Sequence, residues 1–302
     1  MAKKRRSWPD LPEPLPMTVT DNHTHLPTHD GEIPSPEGLR LSLSEQIERA
    51  NQVRVNRMIT SACSLPDFEP TLEIARQWPE VKIALAIHPN EAALHAGIVE
   101  KSPDGFEHAR EEHHVPLIEA LGLVSRHLRD PEVVAVGETG FDFYRTGEAG
   151  REAQNESFAA HVEMAQAHNL PVQIHDRDAH RETVELLRDV AEPDQRIVFH
   201  CFSGDRELAK TITENGWFAS FAGPLTYPAN EELRQAFLEL PHDRVLVETD
   251  APYLTPVPHR GCPNASYVMP HTVRYMAMLW NVPVQQAIER LNQTTARVYG
   301  TW

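Results

Sequence analysis

Two imidazoles one residue apart, His23 and His25, close a short run of β-branched residues. In an extended segment residues i and i+2 point to the same face, so both rings can reach one cation. Asp, Glu and His recur where later apolar runs stop: Glu138 after Gly137, His175 after Ile174, His200 after Phe199, and Glu248, Thr249 and Asp250 after Val247. A lone histidine after a strand is more commonly a hydrogen-bonded loop residue than a ligand. The set His23, His25, Glu138, His175, His200 and Asp250 reads differently, as a metal site. Its nitrogen and carboxylate donors suit Mg, Mn or Zn, and also Fe, without choosing among them. One or two divalent ions per chain are expected. Such ions lower the pKa of bound water and polarise a phosphoryl or carbonyl oxygen, so the expected reaction is hydrolysis by metal-activated water. Asp250 is the natural partner, a ligand that also takes the proton of the attacking water. Glu138, with two oxygens, is suited to bridge two ions, and a single-metal site stays open.

These residues need strands that end at one place. Eight runs read as strands: 17–20, 55–60, 81–87, 133–136, 172–174, 197–199, 217–221 and 245–247. Between and after them lie amphipathic stretches at 44–51, 116–129, 152–169, 178–190, 205–215, 230–240, 271–279 and 283–298. In the third of these Phe158, Val162 and Ala165 form a stripe at i, i+4 and i+7. Alternation of this kind predicts an α/β fold, a single-domain (β/α)8 TIM barrel, whose strand ends converge on one mouth. The rival is an open doubly wound sheet, but no Gly-rich strand-to-helix turn of the dinucleotide type is found. Residues 17–302 are assigned to the barrel. Residues 1–16, with Lys3, Lys4, Arg5 and Arg6 followed by four prolines, read as a flexible basic arm. The polar stretch 91–115 is expected to be a helical insertion or a lid.

The chain of 302 residues carries a formal net charge of −16 and 17 histidines. That charge argues against a broad duplex-binding face, since non-specific affinity for phosphates needs clustered Lys or Arg. Bound cations can invert the sign of an acidic pocket locally, which leaves a chain end as an accessible substrate. No apolar run approaches a membrane span and no signal-type segment opens the chain, so a cytoplasmic location is expected. Cys63, Cys201 and Cys262 are scattered and signal neither a disulfide framework nor a thiolate zinc site.

The local words around the ligands match a known family. DNHTHL (Asp21 to Leu26), AIHP (Ala86 to Pro89), VGETGFDFY (Val136 to Tyr144), PVQIHDR (Pro171 to Arg177), HCFSG (His200 to Gly204), VETDAPYLTP (Val247 to Pro256) and HRGCPN (His259 to Asn264) run in family order across nearly the whole chain. The chain resembles the TatD-type hydrolases. The resemblance implies a barrel of the amidohydrolase superfamily, a binuclear-type site and cleavage of phosphodiester bonds in DNA, often from an end. It places the ligands on His23, His25, Glu138, His175, His200 and Asp250, and makes His88 and Arg260 substrate contacts. DNA, as single strands or frayed ends, is then the expected partner. The alternative on the same barrel is hydrolysis of a non-nucleic-acid ester, lactone or amide, as in the wider superfamily. A carboxylated lysine would favour it, and Glu138 stands where that lysine would be expected. Thr24 and Asp176 depart from the family's usual residues. His113, His114, His161, His168 and His180 are expected to be solvated.

Overall fold

The computed structural model describes residues 7–302. Eight parallel strands pair in the order of the chain: β1 Val19–Thr24, β2 Val55–Ala62, β3 Val81–Leu85, β4 Val133–Asp142, β5 Val172–Arg177, β6 Ile197–Phe199, β7 Phe218–Phe221 and β8 Val245–Val247. Beyond the end of β8, the Asp250 N–H donates to the His23 carbonyl at 3.0 Å and the His25 N–H to the Ala251 carbonyl at 2.7 Å. Lower down, the Asn22 side chain donates to the Val247 carbonyl at 2.8 Å. These bonds bring the ends of the sheet together, and the TIM barrel expected from the alternation is the fold.

Among the described residues ten α-helices accompany the strands: α1 Leu43–Gln52, α2 Phe68–Gln77, α3 Pro89–His95, α4 Leu117–His127, α5 Arg151–His168, α6 His180–Val190, α7 Arg206–Glu214, α8 Glu231–Glu239, α9 Pro270–Leu279 and α10 Val284–Tyr299. Capping follows local chemistry. Ser42 opens α1 in a reciprocal box with Glu45, and the Asp205 carboxylate accepts the N–H groups of Glu207 and Leu208 at the start of α7. The helix α2 is an addition to the elements expected from the sequence, and α3 is a short helix at the start of the 91–115 excursion. Within the 91–115 stretch, α3 is followed by an irregular loop holding one antiparallel bridge, Lys101 to Glu107.

Two apolar layers stabilise the barrel. The larger lies between strands and helices. The smaller fills the barrel interior with Ile59, Ala84, Ala135, Val198, Phe218 and Leu246, and Val298 and Tyr299 from the end of α10 close it below. No helix among the described residues is long and apolar enough to cross a membrane.

Three expectations need correction. Part of the segment read as a flexible arm is packed: Trp8 and Leu15 are buried, the Trp8 indole donates to the Leu39 carbonyl at 3.2 Å, and Tyr267 Oη donates to the Pro9 carbonyl at 2.8 Å. Two apolar anchors among conformationally restricted prolines lower the entropy lost on docking. The basic residues Lys3 to Arg6 lie outside the described residues. The strands β1, β4 and β5 run past their expected ends through polar residues, so His23, Glu138 and His175 lie within strands. His161 and His114 are buried rather than solvated, because each finds hydrogen-bond partners in the interior.

Candidate metal centre

The six residues singled out from the sequence meet at the top of the barrel around Glu138. One carboxylate oxygen, Oε2, faces β1, 3.6 Å from His23 Nε2 and 3.8 Å from His25 Nε2. Asp250 Oδ1 completes that side, 3.4 Å from His25 Nε2 and 3.9 Å from His23 Nε2. The other oxygen, Oε1, faces β5 and β6, 2.9 Å from His200 Nε2 and in contact with His175 Nδ1. Glu138 therefore stands between two donor sets. Atoms that share one ion at bond lengths of roughly 2.0–2.2 Å lie about 3–4 Å apart, which is the spacing found here.

β4 must press closely against β5 to bring this about. Gly140, at φ +143°, allows it, since a Cβ there would lie 2.1 Å from the His175 carbonyl oxygen. The approach carries Glu138 and Asp142, on one face of β4, to His175.

The proton positions test whether these histidines fit a cation. A ligating imidazole donates its distal N–H to an acceptor and so keeps the other nitrogen bare. His23 Nδ1 is 2.8 Å from Gln173 Oε1 and His175 Nε2 is 3.1 Å from Asp142 Oδ2, whereas His200 Nδ1, 3.3 Å from Glu248 Oε1, makes no hydrogen bond. The nitrogens left over, His23 Nε2 and His175 Nδ1, face Glu138, as does His200 Nε2. The donor set fits a divalent ion on each side of that carboxylate. His88 does not fit as a ligand, although its ring borders the cluster. Its Nδ1 accepts the Asn90 N–H at 3.1 Å, so its proton lies on Nε2, 3.4 Å from Glu138 Oε1. That is a hydrogen-bond donor.

Burial raises the Glu138 pKa, but His200, His88 and His175 outweigh it and hold the carboxyl well below the usual range. Burial lowers that of His175, while Glu138 and Asp142 together raise it to about 9. The two carboxylates of the centre thus draw positive charge, which a bound cation supplies in place of protons.

The centre opens into a cavity of about 1400 Å³ lined by His25, His88, Arg177, His180, Asp250 and Tyr253 among others. A model for "TatD related DNase" matches residues 20–300. The chain belongs to this family. An uncharacterized metal-dependent hydrolase TatD of Mycobacterium tuberculosis is 33% identical over 93% of this chain and 98% of its own length. The uncharacterized metal-dependent hydrolase YcfH of Escherichia coli K12 is 32% identical over 94% and 96%. Among solved structures, YJJV, a TatD homolog from E. coli K12, superposes with a TM-score of 0.77 at 24% identity, covering 94% of this chain and 98% of that one. The chain is thus a metal-dependent hydrolase of the TatD family.

Within this TatD-family barrel the sequence reading missed Gln173 and Asp142, which hold the distal nitrogens of His23 and His175. Parity was the available signal: Gln173 lies two residues before His175, and Asp142 four after Glu138, each on the same strand face. It also missed Cys63, whose thiol lies 3.7 Å from Glu138 Oε2. Arg260 lies outside the cavity lining, with its guanidinium 4.4 Å over the Tyr227 ring. His161 has a structural place: its Nδ1–H donates to the Ser157 carbonyl at 2.6 Å and its Nε2 accepts the Ile87 N–H at 3.1 Å, just before His88.

A further cluster joins Glu91 to His113 and His114 on the excursion after β3. The Glu111 N–H donates to His114 Nδ1 at 2.7 Å, which leaves the proton on Nε2, 3.0 Å from Glu91 Oε2. This is a hydrogen-bonded tie between the loop and α3, and its proton placement does not suit a cation.

Proposed function

We propose that the chain is a deoxyribonuclease that hydrolyses phosphodiester bonds at the ends of single-stranded or frayed DNA. The observation that carries this reading is the division of Glu138 between two donor sets, inside a barrel whose family is described as DNase. His23, His25 and Asp250 would hold one divalent ion and His175 and His200 the other, with Glu138 shared. Such ions supply Lewis acidity toward a phosphoryl oxygen and acidify a water at neutral pH.

The residues of the chain do the rest. Asp250 is more open to the cavity than Glu138, with its side chain 13% exposed against 6%, and its carboxylate receives the proton of the attacking water. His88 presents Nε2–H to the cluster and donates to a phosphoryl oxygen. Gln173 and Asp142 keep the His23 and His175 imidazoles in the required tautomer.

The net charge of −16 supports ends over internal duplex sites, because gripping a duplex needs a broad basic face. The test is a digestion series on 3′-labelled single strands, blunt duplex, closed circles and a simple phosphodiester, after chelation and with metal restored. Faster cutting of single strands is expected. Efficient cutting of closed circles would contradict the end preference, and turnover of esters or lactones with no cutting of DNA would contradict the nuclease reading.

A further inference from the structure

Two features at the mouth of the cavity have no part in the metal centre. Tyr253, three residues beyond Asp250, lines the cavity yet is 62% exposed. Its ring stands edge-on to that of His25, with centroids 6.2 Å apart, so a group covering the tyrosine lies beside the cluster. Arg177 stands across the mouth. It follows His175 by two residues on β5 and so leaves the same strand face one step farther out, roughly 7 Å along the strand. Its guanidinium lies 4.0 Å over the Tyr144 ring. Nearby Arg145 is paired with Asp104 at 3.1 Å, whereas Arg177 has no carboxylate partner among the described residues.

In a chain this acidic, a cation kept on an aromatic face at a cavity rim is free to meet an anion. An open tyrosine ring offers a surface that any nucleobase can stack on, because every base has a π-face. The strands β8 and β5 lie on different sides of the barrel mouth, with the Glu138 cluster between them. A molecule that touched both Tyr253 and Arg177 would have to cross the cluster.

We propose that Tyr253 and Arg177 form a nucleotide subsite: the base at the cleaved end stacks on Tyr253, and a phosphate adjoining the scissile one sits on Arg177. This rests on the deoxyribonuclease reading and narrows it, since it requires an unpaired base next to the reacting phosphate. The base in a duplex is covered by its neighbours and cannot offer its face without fraying. Stacking is indifferent to base identity, so weak sequence preference follows.

The test uses the metal-loaded full-length protein and two short single strands, one normal and one with abasic residues at the cleaved end. The wild type should show a KM about ten-fold or more higher for the abasic strand, the scale of one base–aromatic stack. Tyr253→Ala should erase the difference between the two strands and Tyr253→Phe should keep it. Arg177→Gln should raise KM for both strands and make its salt dependence shallower by about one phosphate contact. Fluorescence anisotropy of a labelled strand, read as binding without turnover, should rank the variants in the same order. Equal KM for both strands in the wild type, discrimination that survives Tyr253→Ala, or an unchanged salt dependence in Arg177→Gln overturns the subsite and leaves the nuclease reading standing. Failure of the wild type to cut either strand overturns both.

Discussion

Gln173 Oε1 accepts the Nδ1–H of His23 at 2.8 Å. The amide nitrogen of Gln173 is already committed, donating to the Asn22 carbonyl at 2.8 Å and to Tyr299 Oη at 2.9 Å. The side chain therefore presents only its oxygen to His23, and Nε2 of that ring is left bare for a cation. Gln173→Leu preserves bulk and removes the acceptor. It should weaken metal binding about 10–100-fold, measured by calorimetric titration of the chelated protein, with the fold retained by circular dichroism. Undiminished affinity would mean that His23 is oriented by something else.

Asp250→Asn tests the proton acceptor. Asn keeps the shape of the side chain but cannot take a proton as a carboxylate does, so kcat should fall by about 10²-fold or more while the thermal transition stays close to that of the wild type. Metal content measured alongside separates lost basicity from a lost ligand. Wild-type turnover by a folded Asp250→Asn protein would remove Asp250 from the chemistry.

His161 gives a pH dependence whose sign is set by its partners. Burial pushes its pKa down to about 4, against an ordinary 6.5. A second proton on Nε2 would face the Ile87 N–H and break the bond that fixes the end of β3. Between these two values the unfolded chain binds a proton that the folded chain does not. The stability due to neutral His161 is thus fully present above 6.5 and is lost as the pH falls toward 4, by about 3 kcal/mol at most. Urea unfolding at several pH values should show this slope, and His161→Gln should flatten it. An equal slope in both proteins would assign the acid sensitivity to other groups.

Strand starts were more legible than strand ends, of which only those of β6, β7 and β8 fall where expected. Val55, Val81, Val133, Val172, Ile197 and Val245 each begin a strand where the expected run begins, because β-branched residues there need burial on both faces. Polar residues such as His23, Glu138, Asp142 and His175 look like loop by composition. They continue the strands because tertiary partners satisfy them. The helix α2 escaped notice through Pro70, which sits in its first turn, where a missing N–H costs little. His161 was judged by polarity, although it lies three residues from Phe158 on the stripe that faces the barrel. The six centre residues were legible because strand-end chemistry in a barrel converges. The acceptors behind them were not, since Gln173 and Asp142 acquire meaning only once two strands are side by side.

Trp8 measures what the proline-rich segment contributes. Its indole is 6% exposed and bonds to Leu39, so Trp8→Ala should destabilise the fold by about 3 kcal/mol, the lower part of the range for burying and then deleting a large aromatic group. Chemical denaturation reads the change. A loss below about 0.5 kcal/mol, the size of an ordinary surface substitution, would show that the segment is not held in solution.

The most direct measurement is the rate of single-strand cleavage by chelated protein as divalent ions are returned stoichiometrically, with bound metal counted in the same samples. A centre divided by Glu138 predicts no cleavage without metal and a rate that climbs to its plateau as the second ion per chain binds. Full activity in the metal-free protein, or a plateau already reached with one ion bound per chain, would contradict it.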